Sequence, residues 1–244
     1  MEEKINYELV KENFNNYLSF YDLNNLDVSL KKRHSYAVAD LMCELAYLLG
    51  MNDDEIILAK TIGLLHDIGR FEQLRLTSSY KDKVFDHAEY SNKYLFIEGH
   101  IRDFIKTDRY DDIIKEAIFY HNKLTIPDEV FCYTKMIRDT DKIDIYYQCA
   151  VNFEYRFDSN ISPKVISEFN ACSSINLDFV ETGADNILSI LSLIFDINYL
   201  ESFKLLNETD NFYLFVGCIE VDSTSESLWS ELTKKCVSKI EGGI

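Results

Sequence analysis

The chain of 244 residues carries 42 acidic against 25 basic side chains, a formal charge of −17, and is 47% hydrophobic. That is enough apolar material for a full core, as one large domain or a domain with an extension. The negative charge repels phosphate backbones and anionic membrane surfaces, so neither a nucleic-acid polymer nor a membrane is the expected partner, whereas a small phosphorylated substrate can still be held locally.

Eight Gly and two Pro leave few chain breakers and predict long helices in an all-α fold. The N-terminal stretch MEEKINYELVKENF is charged throughout and carries no secretory signal, and the six cysteines are scattered without a C-x-x-C pair. The longest oily run, Ile187 to Phe195, is far short of the roughly 20 residues that a membrane helix needs. A soluble, cytoplasmic protein with reduced thiols is expected.

In chain order, residues 30–50, LKKRHSYAVADLMCELAYLLG, place His34, Val38, Leu41, Leu45 and Leu48 at helical spacing, with Gly50 as a stop. Asn52 opens the next helix with Glu55 three residues on, as in a capping box, and the run to Gly69 is apolar on nearly all sides, as in a central helix. His66 and Asp67 fall in its last turn. Residues 71–86 read as a polar surface loop, and Asp86 as the cap of a helix with His87 in its first turn. Residues 108–123 form a helix with His121 near its end. Residues 127–150 form another, with Pro127 in the first turn and Asp141 deep inside. Further helices are expected near 163–171, 180–206 and 224–240, while residues 212–221 suit a short strand or a buried helix. No linker divides the chain, so residues 1–150 and a helical extension, 151–244, are expected to pack in a single globule.

Four of the five histidines, His34, His66, His87 and His121, fall on separate helices near an end or on an inward face, and His100 stands outside the set. Taken singly, each has an ordinary explanation as a core or helix-end residue. Asp141 is harder to explain away, because a mid-helix aspartate is poor for helix propensity and needs a partner when buried. Together with Asp67 they make a His/carboxylate set suited to first-row divalent metals in a helical bundle. For two metals Asp67 is the natural bridge, since a carboxylate offers one oxygen to each ion and an imidazole a single lone pair.

The order His, His-Asp, His, His, Asp, set in RHSYAVADL, LLHDIGRFEQ, DHAEYS, YHNK and RDTDKIDI, resembles the HD-domain superfamily of metal-dependent phosphohydrolases across residues 28–147. The resemblance implies an HD-domain helical bundle with a helical C-terminal extension. It implies that His34, His66, Asp67 and Asp141 hold one metal, and that His87 and His121 hold a second with Asp67 bridging. One or two divalent ions (Fe, Mn, Mg, Co, Ni or Zn) are thus expected. The implied activity is hydrolysis of a small nucleotide or other phosphorylated metabolite by a metal-activated water, with Asp67 and Arg70 as catalytic residues. Arg70, Arg75 and Lys142 are the nearest cations for the substrate phosphate. Two competing readings are a di-iron oxygenase of the same superfamily and a non-catalytic metal- or nucleotide-binding regulatory protein. The apolar faces of the C-terminal helices would also allow a homodimer.

Overall fold

The computed structural model describes residues 4–243, which divide at Asp141 and Lys142 into two compact units. The fold is all-α apart from two short strands in the second unit.

The first unit opens on α1 (Tyr7–Leu18), which the sequence reading passed over. Its apolar face, Val10, Phe14, Tyr17 and Leu18, follows the helical repeat and is buried. Phe14 and Tyr17 meet Phe71 edge-on at 6.0 and 6.3 Å, and the Tyr17 hydroxyl donates to the Ile68 carbonyl at 3.0 Å. Next come α2 (Leu26–Leu48) and α3 (Asp53–Leu65), the most extensively packed pair in the chain. Gly50, at φ +73°, stops α2 in a conformation that disfavours a side chain. The expected capping box is formed: Asn52 Oδ1 accepts from the Asp54 and Glu55 amides at 3.0 and 3.2 Å, and Glu55 accepts from the Asn52 amide at 2.8 Å. A Cβ on Gly63 would lie 2.7 Å from the Ala39 Cα, so only glycine lets α3 approach α2 this closely.

The central helix ends four residues earlier than expected. After His66 and Asp67 the chain turns, and α4 (Ile68–Thr77) begins at once. Residues 71–77 are therefore helical rather than loop, because Phe71 and Leu74 continue a buried face from Ile68 beneath polar neighbours. The loop proper is residues 78–86. Asp86 caps α5 (His87–Asn92) as expected, accepting from the Ala88 and Glu89 amides at 3.0 and 3.1 Å. A π-helical turn (Lys93–Ile97), the short α6 (Ile101–Phe104) and α7 (Asp111–Tyr120) follow.

The long α8 begins at Cys132 and runs to Asn152, so Pro127 lies in the preceding connection and not in its first turn. Glu116 sets that start: its Oε1 accepts from the Phe131 amide at 2.7 Å and the Thr134 hydroxyl at 2.6 Å, doing the work of a cap.

In the second unit, β1 (Tyr155–Phe157) pairs in parallel with β2 (Ile219–Val221), Arg156 opposite Glu220. Between them lie α9 (Pro163–Asn170), α10 (Gly183–Leu191), α11 (Leu200–Thr209) and α12 (Asn211–Gly217), and α13 (Glu226–Gly243) follows. The helix expected over 180–206 is broken by a 3-10 turn, Ser192–Asp196, where the Ser192 hydroxyl accepts from the Ile175 amide at 3.1 Å. Residues 212–221 divide between the two readings, helix first and strand after. Among the described residues no helix is long and apolar enough to cross a membrane.

Candidate metal centre

The turn between α3 and α4 sets the site. His66 ends one helix and Asp67 precedes the next, so consecutive side chains reach one buried space from two directions. An aspartate at a helix start ordinarily bonds the first free amides. Asp67 makes no such bond, and both of its oxygens turn inward.

Those oxygens face different partners. Oδ2 lies 3.6 Å from His66 Nε2 and 3.7 Å from His34 Nε2. Oδ1 lies 3.0 Å from His87 Nε2 and 3.4 Å from His121 Nε2. The result is two buried triads with Asp67 in common, His34/His66/Asp67 and Asp67/His87/His121, in each of which the ligand atoms lie within 4.8 Å of one another. Asp141 joins the side of the first triad, its Oδ1 3.0 Å from His34 Nε2 and 3.7 Å from His66 Nε2.

Ring protons can be assigned from the partners. His66 Nδ1 is 2.7 Å from the Gly63 carbonyl and His121 Nδ1 is 2.7 Å from the Ile118 carbonyl. A carbonyl only accepts, so both protons sit on Nδ1 and both Nε2 atoms carry lone pairs. His87 Nδ1 is likewise 2.8 Å from Asp82 Oδ1. His87 Nε2 and His121 Nε2 thus face each other at 3.0 Å with lone pairs converging on a carboxylate. Buried His66 Nε2 and Asp67 Oδ1 have no hydrogen-bond partner among the described residues. Lone pairs in that arrangement repel unless a cation stands among them, and neutral imidazole with carboxylate is the donor chemistry a divalent metal takes.

The electrostatics agree. Burial opposes ionisation of Asp67, but Lys31, His66, His87 and His121 outweigh it and hold the carboxyl well below its ordinary range. Asp141 behaves in the same way: burial is outweighed by the His34 and His66 side chains beside it. Burial pushes the His121 imidazole down to about 4, so it is neutral at neutral pH, as a ligand must be.

The family model of the HD domain matches residues 32–146. Residues 32–146 are an HD domain. No curated protein and no solved structure matches the chain. The HD superfamily is one of metal-dependent hydrolases, and the clustered His and Asp side chains are consistent with a metal site of that family.

Within the HD domain all six expected ligand positions come together, whereas the three expected cations do not. Arg70 is buried beside the second triad, Nη2 at 3.0 Å from His87 Nε2 and Nη1 at 2.8 Å from Asp82 Oδ1. Arg75 lies on the surface and is bound by two bonds to Glu72, at 2.6 and 2.7 Å, because position 75 faces away from the buried side of α4. Lys142 is ion-paired with Asp196 at 2.9 Å. His100, left out of the set, stacks on Tyr94 at 4.2 Å.

Four contributors escaped the sequence reading. Lys31, one turn ahead of His34 on α2, puts its ammonium 2.5 Å from Asp67 Oδ2. Arg138 donates to the Tyr120 and Lys123 carbonyls at 2.8 and 2.6 Å, capping the end of α7 that carries His121. Gly69 permits the contact of α4 with α5: a Cβ there would lie 2.4 Å from the His87 carbonyl oxygen and 2.7 Å from Ser91 Oγ. Asp82, from the 78–86 loop, is the fourth.

Proposed function

We propose that the HD domain binds two divalent ions and hydrolyses a phosphoester or phosphoanhydride bond of a small phosphorylated substrate, with a nucleotide as the leading candidate. The observation that carries this reading is the division of Asp67, one oxygen to each histidine pair. His34, His66, Asp141 and Asp67 Oδ2 would hold one ion, and His87, His121 and Asp67 Oδ1 the other. Bound ions supply Lewis acidity, which activates a water near neutral pH and offsets charge building on the phosphoryl oxygens.

The chain itself contributes orientation and positive charge. Backbone carbonyls fix the His66 and His121 tautomers with Nε2 inward. Arg70 puts a permanently charged guanidinium beside the second triad, held there by Gln73, Asp82 and His87. Lys31, with 16% of its side chain exposed, is a second cation at the first triad. Its ammonium is held by Asp67 Oδ2, the oxygen proposed to face an ion, so metal loading would release it toward a substrate oxygen. A charge of −17 favours small substrates gripped by such local cations over polyanions that must cover a wide surface.

The test is elemental analysis of the purified chain, followed by turnover measurements over a panel of nucleotides and other phosphomonoesters with Mn, Fe, Co or Mg supplied. The expected result is close to two ions per chain and metal-dependent release of phosphate or nucleotide. Asp67→Ala is expected to lose the ions and to lower turnover by roughly 1000-fold or more. Full metal content and full turnover in that variant would overturn the bridging role. Oxygen consumption by the iron-loaded protein without phosphoester cleavage would replace hydrolysis by oxygenase chemistry, and tight nucleotide binding without either would leave a regulatory module.

A further inference from the structure

Among the histidines of the site, His87 differs from His66 and His121 in what holds it. His66 and His121 stand at helix C-terminal ends, where carbonyls of the last turn are open, and each ring is fixed by the carbonyl three residues back in its own helix. His87 is the first residue of α5. A helix start presents N–H donors and no free carbonyls, so the backbone of α5 offers nothing to accept from His87 Nδ1. The acceptor must come from elsewhere, and it comes from Asp82 in the 78–86 loop at 2.8 Å.

We propose that Asp82 is the positioning residue that makes the second triad a metal site, by locking the His87 proton on Nδ1 and anchoring Arg70 at the rim. The proposal rests on the two-ion reading above.

Four groups converge on this one carboxylate. Oδ1 accepts from His87 Nδ1 and from Arg70 Nη1, both at 2.8 Å, and from Gln73 Nε2 at 3.2 Å. Oδ2 accepts from Asn122 Nδ2 at 3.2 Å, on the residue after His121. Asp82 thereby ties the loop to the His87 imidazole, to the residue after His121 and to the Arg70 guanidinium. Gln73 adds a bond to the Phe85 carbonyl at 2.7 Å, fastening the loop against α4. In the first triad His34 is carried by α2 and His66 and Asp67 by the turn joining α3 and α4, with Asp141 of α8 beside them.

Ring orientation and basicity of a metal-bound imidazole follow from the acceptor on its other nitrogen, and loss of such an acceptor typically weakens metal binding about 10- to 100-fold. Without Asp82, His87 is free to carry its proton on Nε2, where it can bind no metal. Arg70 would lose one of its fixed partners as well. The first ion depends on none of these bonds. The second ion should therefore bind after the first and more weakly, with an affinity set by a loop whose Asp82 side chain is 36% exposed.

The experiment titrates the metal-stripped full-length chain with Mn²⁺ by calorimetry and compares wild type with Asp82→Ala, the isosteric Asp82→Asn, and Lys81→Ala as a control on the same loop. Wild type and Lys81→Ala should bind two ions in unequal steps. Both Asp82 variants should keep the first step and weaken the second about 10- to 100-fold. Nitrogen-15 spectra of histidine in the Zn²⁺-loaded chain supply a readout that a merely structural role would not move: the protonated Nδ1 signal of His87 should disappear or shift in the variants, with those of His66 and His121 in place. Two ions bound by Asp82→Asn with wild-type affinity would overturn the proposal, as would a single ion in wild type, loss of both ions from a folded variant, or unfolding of both variants. If wild type binds two ions, the Asp82 variants lose one and no phosphoester is cleaved by any of them, the hydrolase reading falls while the role of Asp82 stands.

Discussion

Asp67 and Asp185 are buried aspartates, one in each unit, and their surroundings are opposite in kind. Asp185, in the first turn of α10, is encircled by donors: the Ser162 amide at 2.8 Å and hydroxyl at 2.6 Å, and the Glu181 and Thr182 amides at 3.0 and 3.1 Å. Thr182 returns the bond by accepting from the Asp185 amide at 3.0 Å. Asp67 has the Lys31 ammonium and the Arg70 guanidinium on either oxygen and, around them, the nitrogens of four imidazoles. The first arrangement is complete and holds a loop to a helix. The second leaves Asp67 Oδ1 without a hydrogen-bond partner among the described residues. Burial of a carboxylate thus says little about function until the sign of its neighbours is known.

The sharpest way to strain this contrast is Gly69→Ala. The added methyl meets the His87 carbonyl and Ser91 at the contact of α4 with α5, so those helices must part, at a cost of about 3 kcal/mol in denaturant unfolding of the metal-free chain. Because that contact joins Asp67 and Arg70 to His87, metal content should fall too. Unchanged stability and metal content would mean that α4 and α5 can part without separating Asp67 from His87.

Asp185→Ala comes next. Its buried amide donors lose their acceptor, and about 2 to 3 kcal/mol of stability should go with no change in metal stoichiometry. Loss of metal in this variant would erase the distinction between the two aspartates. The pH dependence carries the same message. Burial works against ionisation of Asp185, but donation from Ser162, Glu181 and Thr182 outweighs it, so its folded pKa lies below the unfolded value near 3.9. Its contribution is present in full above that value and is lost as pH falls through the lower folded value. The acid limb of the stability curve should therefore flatten in Asp185→Asn relative to wild type.

The smallest effect is expected for Arg75→Ala. That side chain is half exposed and engaged only by Glu72 across one helical turn, so midpoint, metal content and KM should match wild type. A raised KM would bring Arg75 back to the substrate.

The buried cluster of His and Asp was legible in the sequence because its residue types are scarce and their positions independent of fine packing: His34, His66, His87 and His121 each sit at a recognisable helix end or inward face. Caps at Asn52 and Asp86 were legible for the same reason, being local. Direction in three dimensions was not. Lys31 shares a helix face with His34, yet nothing in LKKRH separates it from Lys32 until α3 is laid alongside. Arg75 is expected beside Arg70 as a cation for the substrate phosphate, but five positions along α4 turn it outward. Asp82 belongs to a loop, where no repeat tells which side chain folds back. In α4 the buried positions Phe71 and Leu74 were hidden among Glu72, Gln73 and Arg75, and the helix was taken for loop. The reach of Glu116 to the start of α8 is a contact between distant segments, and it moved that boundary past Pro127.

The two-residue joint between Leu65 and Ile68 also fixes the permitted length of this segment. One residue added there would turn everything after it by about 100° about the helix axis and advance it about 1.5 Å. Asp67 could then no longer divide its oxygens between the triads, and Gly69 would leave the contact with His87 and Ser91. TIGLLHDIGRFEQ is accordingly constrained in spacing as strictly as in identity: insertions and deletions belong in exposed connections such as residues 124–129, and a chain with the same letters but one more between them would fold around a different centre.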